Sequence, residues 1–280
     1  MRRLLIFLTL GLTFFALSGC AGHTKLTAGA KSVSYHQITV FGNGPASFKK
    51  VAVAVHLPDQ ATQPRKAVLF LSGCDGGHWI VHDRLSKSLI EKGVVVAEVQ
   101  SIETFGDQCL GTSLMGRDRS LHAFLAKDLL IDQGWAQRDQ VGIVGLSHGG
   151  WTALNASRIN LPYAGDTLVR HLEPFAVAVA LYPHCSTYEV MDRNVITPLL
   201  LLGGSADDWT PMSVCKRTFK NDSKVKLIEY EGATHAWDAP IPPRYRPTHR
   251  GTTFMKYDAK VTDESYKEAW SFLQNGLGLL

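Results

Sequence analysis

The sequence Gly-Leu-Ser-His-Gly at residues 145–149 places Ser147 in a setting typical of serine nucleophiles. A short apolar run, residues 141–144, precedes it, and a stretch that favours helix follows from Trp151. A serine on a tight strand-to-helix turn has a strained backbone that holds its hydroxyl clear of the sheet. Glycines on both sides let neighbouring backbone pass close to the turn. The context therefore predicts a nucleophile, although a glycine-rich turn with an ordinary serine also fits the bare motif.

A serine hydroxyl needs a histidine base, and the base needs an acid that orients it. In α/β-hydrolases these residues follow one another in the order serine, acid, histidine. Asp207 and Asp208 come shortly after a predicted strand at residues 198–202, and His235 follows another at residues 225–230. Ligand-facing groups collect at the carboxyl ends of parallel strands, so we expect one acid and His235 to meet Ser147. Each residue alone has a simpler explanation, since such an aspartate is commonly a turn former or a helix cap.

Short apolar runs alternate with helix-like segments, which indicates a mostly parallel sheet with helices on both faces. Eight strands are predicted, at residues 36–41, 51–57, 67–71, 94–99, 141–144, 176–181, 198–202 and 225–230. Five helices are predicted, at residues 81–91, 119–133, 151–159, 212–219 and 265–274. The first two strands are expected to pair as an antiparallel hairpin. This layout predicts the α/β-hydrolase fold in one domain, residues 34–280.

Three segments of the chain resemble the dienelactone hydrolase branch of the α/β-hydrolases. They are Gly-Leu-Ser-His-Gly-Gly at 145–150, Gly-Gly-Ser-Ala-Asp-Asp-Trp-Thr-Pro at 203–211 and Glu-Gly-Ala-Thr-His-Ala-Trp at 231–237. The resemblance extends from about residue 51 to the C-terminus. Relatives place the acid three residues after a glycine and four before a proline, so Gly204 and Pro211 imply Asp207 as the acid. Their nucleophile is typically cysteine, whereas Ser147 stands here, which favours a general ester hydrolase over an enzyme for dienelactone itself.

An oxyanion hole needs two backbone N–H groups directed at the developing alkoxide. One is expected from His148, the residue after the nucleophile. The second is expected from the glycine-rich loop at residues 71–77, where the resemblance implies the N–H of Cys74. A plain glycine-rich turn is the alternative for this loop. Three tryptophans flank these loops and are candidate substrate-binding residues, although core packing explains them as well: Trp79, Trp209 and Trp237.

Four cysteines remain besides Cys20, and an even number in an exported protein predicts two disulfides. Cys74 and Cys109 follow the third and fourth predicted strands, whereas Cys185 and Cys215 follow the sixth and seventh. All four positions lie at the carboxyl edge of the sheet. They predict the pairs Cys74–Cys109 and Cys185–Cys215, each bracing a loop beside the catalytic centre.

Metal binding is the competing interpretation of this region, because His78 and His82 stand four residues apart close to Cys74. No glutamate follows His78 as in a His-Glu-x-x-His site, and no two cysteines have Cys-x-x-Cys spacing. The sequence therefore predicts no metal site. The expected chemistry needs no organic cofactor either.

The N-terminus is predicted to be a targeting segment. Arg2 and Arg3 precede an apolar run at residues 4–17 that is short for a bilayer span. Leu-Ser-Gly-Cys then resembles the lipobox of bacterial lipoproteins, whose cysteine, here Cys20, becomes the lipid-modified first residue. An ordinary signal peptide and an uncleaved anchor are the alternatives. The lipobox predicts a signal peptide over residues 1–19 and a tether over residues 20–33. Ala21 resembles lipoproteins sorted to the outer membrane, facing the periplasm.

The formal net charge is +4, and two of these charges belong to Arg2 and Arg3. Without a clustered basic stripe, this charge predicts no nucleic-acid partner. The sequence as a whole predicts a membrane-anchored serine hydrolase that cleaves small carboxylic esters or lactones through an acyl-serine intermediate. One alternative is a peptidase of the prolyl-oligopeptidase type, which usually carries a propeller domain not expected here. The other is a non-catalytic envelope lipoprotein that retains the fold.

Overall fold

The computed structural model describes residues 30–41, 48–58, 64–111, 114–158, 173–185 and 194–279. The predicted signal peptide, the lipidated Cys20 and residues 20–29 of the predicted tether lie outside these residues. Ser32 and Val33, which the sequence assigns to the tether, are the first two residues of a strand. The sheet therefore begins slightly earlier than the predicted domain boundary, because the first strand extends along the whole length of the second.

An eight-stranded, mostly parallel sheet organises the fold, as the sequence predicts. Its strand order is β1-β2-β4-β3-β5-β6-β7-β8, with β3 to β8 parallel to one another and β2 antiparallel to both of its neighbours, β1 and β4. The strands are β1 Ser32–Phe41, β2 Phe48–Leu57, β3 Arg65–Leu71, β4 Val95–Gln100, β5 Ala136–Leu146, β6 Val177–Leu181, β7 Leu199–Gly204 and β8 Val225–Tyr230. All eight predicted strands are confirmed.

Helices cover both faces of the sheet and produce two separate apolar layers. The helices are α1 Ile80–Glu91, α2 Ser101–Phe105, α3 Gly116–Asp132, α4 His148–Ala156, α5 Met212–Thr218 and α6 Ala259–Leu277. One layer packs α3, α4 and α5 against the sheet, and the other packs α1 and α6. Strands buried on both faces lack polar alternation, which explains the uninterrupted leucines of β7.

Three elements were not predicted, and all lie in loops at the carboxyl side of the sheet. They are the short helix α2 and a separate antiparallel hairpin formed by β9 Arg244–Thr248 and β10 Gly251–Met255. The last helix is longer than predicted, because the side chain of Asp258 accepts a hydrogen bond from the N–H of Val261 and caps its start. Among the residues described, no helix combines the length and apolar character needed to cross a bilayer.

Candidate active site

Ser147 lies between the end of β5 and the start of α4, with φ 52° and ψ −111°. Residues other than glycine rarely adopt a positive φ, so the backbone of this turn is strained, as the motif predicts. The flanking glycines are needed because backbone passes immediately beside them. A Cβ on Gly145 would lie 2.0 Å from the carbonyl oxygen of Gly149, and one on Gly149 would lie 2.2 Å from that of Leu71.

His235 contacts both other residues of the predicted triad. Its Nε2 lies 2.9 Å from Oγ of Ser147, and its Nδ1 lies 2.8 Å from Oδ2 of Asp207. His235 follows β8, and Asp207 follows β7, so three strand ends bring the side chains together. All three residues are buried, which excludes bulk water from the hydrogen bonds that join them. In this arrangement Nδ1 donates to the carboxylate, and Nε2 is left to accept the serine proton.

The carboxylate of Asp207 is held by its own loop. Oδ1 accepts the backbone N–H groups of Trp209 and Thr210 at 3.0 and 2.8 Å, and Oδ2 accepts the Thr210 hydroxyl at 2.8 Å. Burial alone would raise the pKa of Asp207, but His235 and these donors hold that pKa below its ordinary value. Asp208 points elsewhere, where the Thr253 hydroxyl of β10 donates to it. Asp207 is thus the acid that contacts His235.

Aromatic rings fix the plane of the His235 imidazole. Trp209 and Tyr182 have ring centroids 4.7 and 4.9 Å from it. The Tyr182 hydroxyl donates to the buried carboxylate of Asp238 at 2.8 Å, and burial raises the pKa of Asp238 to about 6. Asp238 also accepts the N–H of Val81 in α1 at 3.2 Å. The loop that carries His235 is therefore connected to the first turn of α1.

The loop between β3 and α1 lies beside Ser147. A Cβ on Gly73 would be 3.8 Å from Cβ of Ser147, and Cys74 lines the same cavities as Ser147. The residue from which the sequence predicts the second oxyanion donor, Cys74, thus lies at the same cavities as Ser147. Cys74 forms a disulfide with Cys109, and its carbonyl oxygen accepts the N–H of Gln108 at 2.8 Å.

Both disulfides have the predicted pairing. Cys74 and Cys109 have Cα atoms 5.1 Å apart, and those of Cys185 and Cys215 are 5.2 Å apart. The first pair borders the site, whereas the second joins the segment after β6 to α5 within the core. The first bridge therefore includes a residue that lines the cleft, Cys74, whereas the second lies one residue away from the cleft-lining His184.

The side chain of His148 lines the cleft and is not placed to act as a base. Its Nδ1 accepts a hydrogen bond from Arg119 at 3.0 Å, and its Nε2 donates to the carbonyl oxygen of Leu114 at 2.8 Å. Burial and the nearby guanidinium of Arg119 lower the pKa of His148 to about 3, so the imidazole is neutral at neutral pH. Arg119 is itself completely buried and also donates to the carbonyl oxygen of Ser72, next to the oxyanion loop.

A small cleft of about 180 Å³ opens beside Ser147. Trp209 lines it, and Trp79 lines a smaller adjoining cavity. Trp237, the third predicted substrate-binding tryptophan, is instead a core residue. It is completely buried, donates through Nε1 to the Ser265 hydroxyl at 3.1 Å and packs between Tyr182 and Tyr230. Trp237 lies in the apolar layer between the sheet and α6, and this position explains its burial.

Several residues of the site were not identified from the sequence. The Thr210 hydroxyl lies 3.1 Å from Nδ1 of His235 in addition to its contact with Asp207. Thr210 stands three residues after Asp207, and Trp151 stands one helical turn after Ser147. Both positions could have been predicted from the sequence to lie at the site. Residues without such a signal line the cleft from distant segments: Gln108, Met115, His184, His249 and Arg250.

Comparison with protein-family models gives a match over residues 52–277 to the model described as the dienelactone hydrolase family. Comparison with curated protein sequences gives no match.

Solved structures share the fold at low sequence identity. A dienelactone hydrolase-like promiscuous phosphotriesterase from metagenomic libraries is 16% identical, with TM-score 0.58, and the match covers 88% of this chain and 99% of that one. A thermophilic esterase of Thermogutta terrifontis, with butyrate bound, is 13% identical, with TM-score 0.60 and coverages of 91% and 96%. A puromycin-hydrolyzing peptidase of Mycobacterium tuberculosis is 18% identical, with TM-score 0.57, and the match covers 86% of this chain but 39% of the peptidase.

Proposed function

This chain belongs to the dienelactone hydrolase family, and we propose that it is a serine hydrolase that cleaves carboxylic esters or lactones. The observation that carries the proposal is the buried hydrogen-bonded series from Ser147 to His235 to Asp207, with contacts of 2.9 and 2.8 Å. A serine on a strained strand-to-helix turn, a histidine and a buried carboxylate in this geometry have the parts needed for acyl transfer.

In the proposed reaction, Oγ of Ser147 attacks the ester carbonyl carbon while Nε2 of His235 takes the hydroxyl proton. The tetrahedral oxyanion receives hydrogen bonds from the backbone N–H groups of Cys74 and His148. Collapse breaks the bond to the leaving alcohol, which takes the proton from His235, and leaves an acyl-serine. Water, activated by His235, then releases the acid. Asp207 stabilises the imidazolium in both halves, and the donors at Asp207 keep the carboxylate ionised for that purpose.

The cleft supports a preference for small acyl groups. Its volume of about 180 Å³ is modest, and Trp209 and Trp151 supply apolar walls. His249 and Arg250 lie at the same cleft and would favour an ester or lactone with a polar or acidic substituent. We therefore expect the specificity constant to fall as the acyl chain of p-nitrophenyl esters is lengthened.

Labelling with a fluorophosphonate probe, together with ester and lactone turnover, tests the nucleophile. Ser147→Ala should abolish labelling and lower turnover by at least about 10³-fold, with little change in the thermal midpoint. The matched control is Ser157→Ala, since Ser157 is a buried serine at the other end of α4 whose hydroxyl donates to Ala153. Retained labelling or turnover in the Ser147 variant would contradict the proposal, and an unlabelled, inactive wild type would favour a non-catalytic role.

Amide hydrolysis is the second candidate, because the puromycin-hydrolyzing peptidase shares the fold over this domain. A series of matched p-nitrophenyl esters and p-nitroanilides of the same acyl group separates the two functions. We expect the esters to be cleaved much faster than the anilides. Comparable rates on both series would favour a peptidase.

We further propose that the protein is exported and anchored in the cell envelope through a lipid on Cys20. The lipobox-like sequence at residues 17–20 and the two disulfides support an oxidising compartment. Cys20→Ala should block processing or release the protein from the membrane fraction, whereas Ala21→Ser should leave fractionation unchanged. Unaltered membrane association of the Cys20 variant would mean that another segment anchors the chain.

A further inference from the structure

A second group of reactive side chains lies under the start of α1, away from the triad hydrogen bonds. One ligand atom from each of His78, His82 and Glu98 falls within 4.8 Å of the other two. His78 comes from the loop before α1, His82 from α1 itself and Glu98 from β4. Glu98 and His82 are buried, and His78 is half-buried, so the group opens to solvent on one side.

The spacing of these atoms matches the first coordination sphere of a small divalent metal ion. Nδ1 of His78 lies 3.1 Å from Nε2 of His82, which lies 3.6 Å from Oε1 of Glu98. Ligand bonds of about 2.0–2.1 Å to zinc in tetrahedral geometry separate the ligand atoms by about 3.3–3.4 Å. The contact between His82 and Glu98 is too long for a strong hydrogen bond, yet suits two ligands of one ion.

Asp83 fixes the orientation of the His82 ring. Its Oδ1 lies 3.1 Å from Nδ1 of His82, which places the ring proton on that nitrogen. Nε2 is then unprotonated and faces Oε1 of Glu98, while Nδ1 of His78 lies 3.1 Å from Nε2 and 3.3 Å from Nδ1 of the same ring. A carboxylate behind a metal-binding histidine is a usual outer partner, since it sets the tautomer and raises the basicity of the ligand nitrogen.

The carboxylate of Glu98 gives a second, independent indication of a cation. Its Oε2 is buried and has no hydrogen-bond partner among the described residues, and its Oε1 faces Nε2 of both His82 and His56 at 3.6 and 3.7 Å. A buried carboxylate with so few donors is costly unless a cation compensates it. A bound ion would use one or both of its oxygens.

We propose that His78, His82 and Glu98 bind one zinc ion, or a closely similar divalent transition-metal ion. The ligands are Nδ1 of His78, Nε2 of His82 and the carboxylate of Glu98, with water or the second carboxylate oxygen in the fourth position. Two imidazoles and one carboxylate favour zinc over the oxygen-preferring magnesium and calcium. Among the described residues, the other group of suitable side chains is Cys74, Asp107 and Cys109, but both of its thiols are joined in a disulfide.

Such an ion would connect α1 and the preceding loop to strand β4. That loop also carries Cys74 and Trp79, so the ion would stabilise the segment beside the candidate site without taking part in acyl transfer. Metal binding here is independent of the proposed hydrolase activity.

Metal content and affinity of the chelator-treated protein test the proposal. We expect one Zn²⁺ per chain on titration, and a Co²⁺-loaded protein with the intense visible absorption of a four-coordinate site. The midpoint of thermal unfolding should rise by about 5–10 °C when the free zinc concentration is 100 times the dissociation constant. Asp83→Asn should weaken binding by about 10–100-fold, as expected for loss of the outer partner.

Two ligand variants and one control complete the experiment. Glu98→Gln and His78→Gln should each abolish stoichiometric binding and the zinc-dependent rise in midpoint. His36→Gln is the control, since His36 is a partly buried histidine of β1 outside the group. Because His78 is half-buried, its variant is expected to fold, which the midpoint without metal checks. Sub-stoichiometric binding by the wild type, or equal binding by wild type and the His78 variant, would overturn the proposal.

Discussion

The predicted triad and the predicted oxyanion loop, residues 71–77, lie on two sides of one cleft, but different kinds of contact hold them. On the triad side, Ser147 donates its N–H to the carbonyl oxygen of Leu181 on the next strand at 2.9 Å. Asp207 is held by N–H groups two and three residues ahead of it. These contacts are made by strand ends and tight turns.

The loop between β3 and α1 depends on partners from distant parts of the chain. Cys74 is bonded to Cys109, 35 residues away. Asp75 accepts a hydrogen bond from Arg246 of β9 at 2.7 Å, and the same guanidinium donates to the sulfur of Cys109 at 3.0 Å. Arg119 of α3 supports the loop from beneath, at Ser72.

This difference indicates which variants should lower turnover alone and which should lower both turnover and stability. Changes in the triad remove a proton-transfer partner and leave the packing nearly intact. Changes around the oxyanion loop remove cross-links, so they should lower stability and turnover together but by smaller factors. Four predictions test this contrast, beginning with the largest effect.

Replacement of the acid should have the largest effect. Asp207→Asn should lower turnover by about 10³–10⁴-fold, because the amide no longer selects the His235 tautomer or stabilises the imidazolium. Asp208→Asn is the control, since Asp208 contacts Thr253 and not His235; it should retain at least half of the turnover. Initial rates on one p-nitrophenyl ester measure both. A larger loss in the Asp208 variant would reverse the assignment of the acid.

Substitution of a glycine in the Ser147 turn should lower stability about as much as loss of a disulfide. An alanine at Gly149 would bring its Cβ to 2.2 Å from the carbonyl oxygen of Leu71, so backbone of α4 or β3 has to move. We expect Gly149→Ala to lower the free energy of unfolding by about 3 kcal/mol or more. Gly111→Ala, at a position with open space around it, should change it by less than about 0.5 kcal/mol. Urea unfolding measures both, and equal stability of the two variants would argue against the close approach.

The two disulfides should have similar effects on stability and different effects on turnover. Their sequence separations are 35 and 30 residues, so each should contribute about 3–4 kcal/mol in the chain-entropy treatment. Replacing Cys74 and Cys109 by serine should also lower turnover by about 10–100-fold, because the oxyanion donor is displaced. Replacing Cys185 and Cys215 by serine should change turnover by no more than about twofold, when measured at temperatures below the unfolding transition. Equal losses of turnover would show that the first bridge has no special relation to the site.

The contact between Arg246 and Asp75 should have the smallest effect of the four. Both side chains are mostly buried, with 18% and 24% exposed, so Arg246→Gln should cost about 1–2 kcal/mol and lower turnover a few-fold. Arg84→Gln is the control, since it breaks a more exposed ion pair with Asp263 on the surface. That variant should have nearly the stability of the wild type and unchanged turnover, because exposed ion pairs contribute little. Indistinguishable variants would mean that β9 does not support the loop.

Patterns with a local physical cause were predicted well. Apolar runs gave every strand of the large sheet, because strands covered on both faces cannot tolerate polar residues. The sequence does not predict the hairpin of β9 and β10. Its arginines, threonines and tyrosine show no consistent alternation of polar and apolar residues, and its outward residues are exposed. Trp237 was misassigned because a tryptophan next to His235 has the same sequence context whether it faces a cleft or the core.

The sequence by itself determined the strained serine turn, the order of the triad residues and the pairing of the cysteines. The serine turn follows from a few neighbouring residues, whereas the triad order and the cysteine pairs follow from the predicted strand after which each residue stands. Only the tertiary structure decided that Glu98 meets His78 and His82, and that Arg246 reaches Asp75. Glu98 is one residue in an apolar strand, and its partners depend on β4 lying between β2 and β3. Contacts between segments far apart in sequence follow from strand order and burial, which the whole chain sets cooperatively.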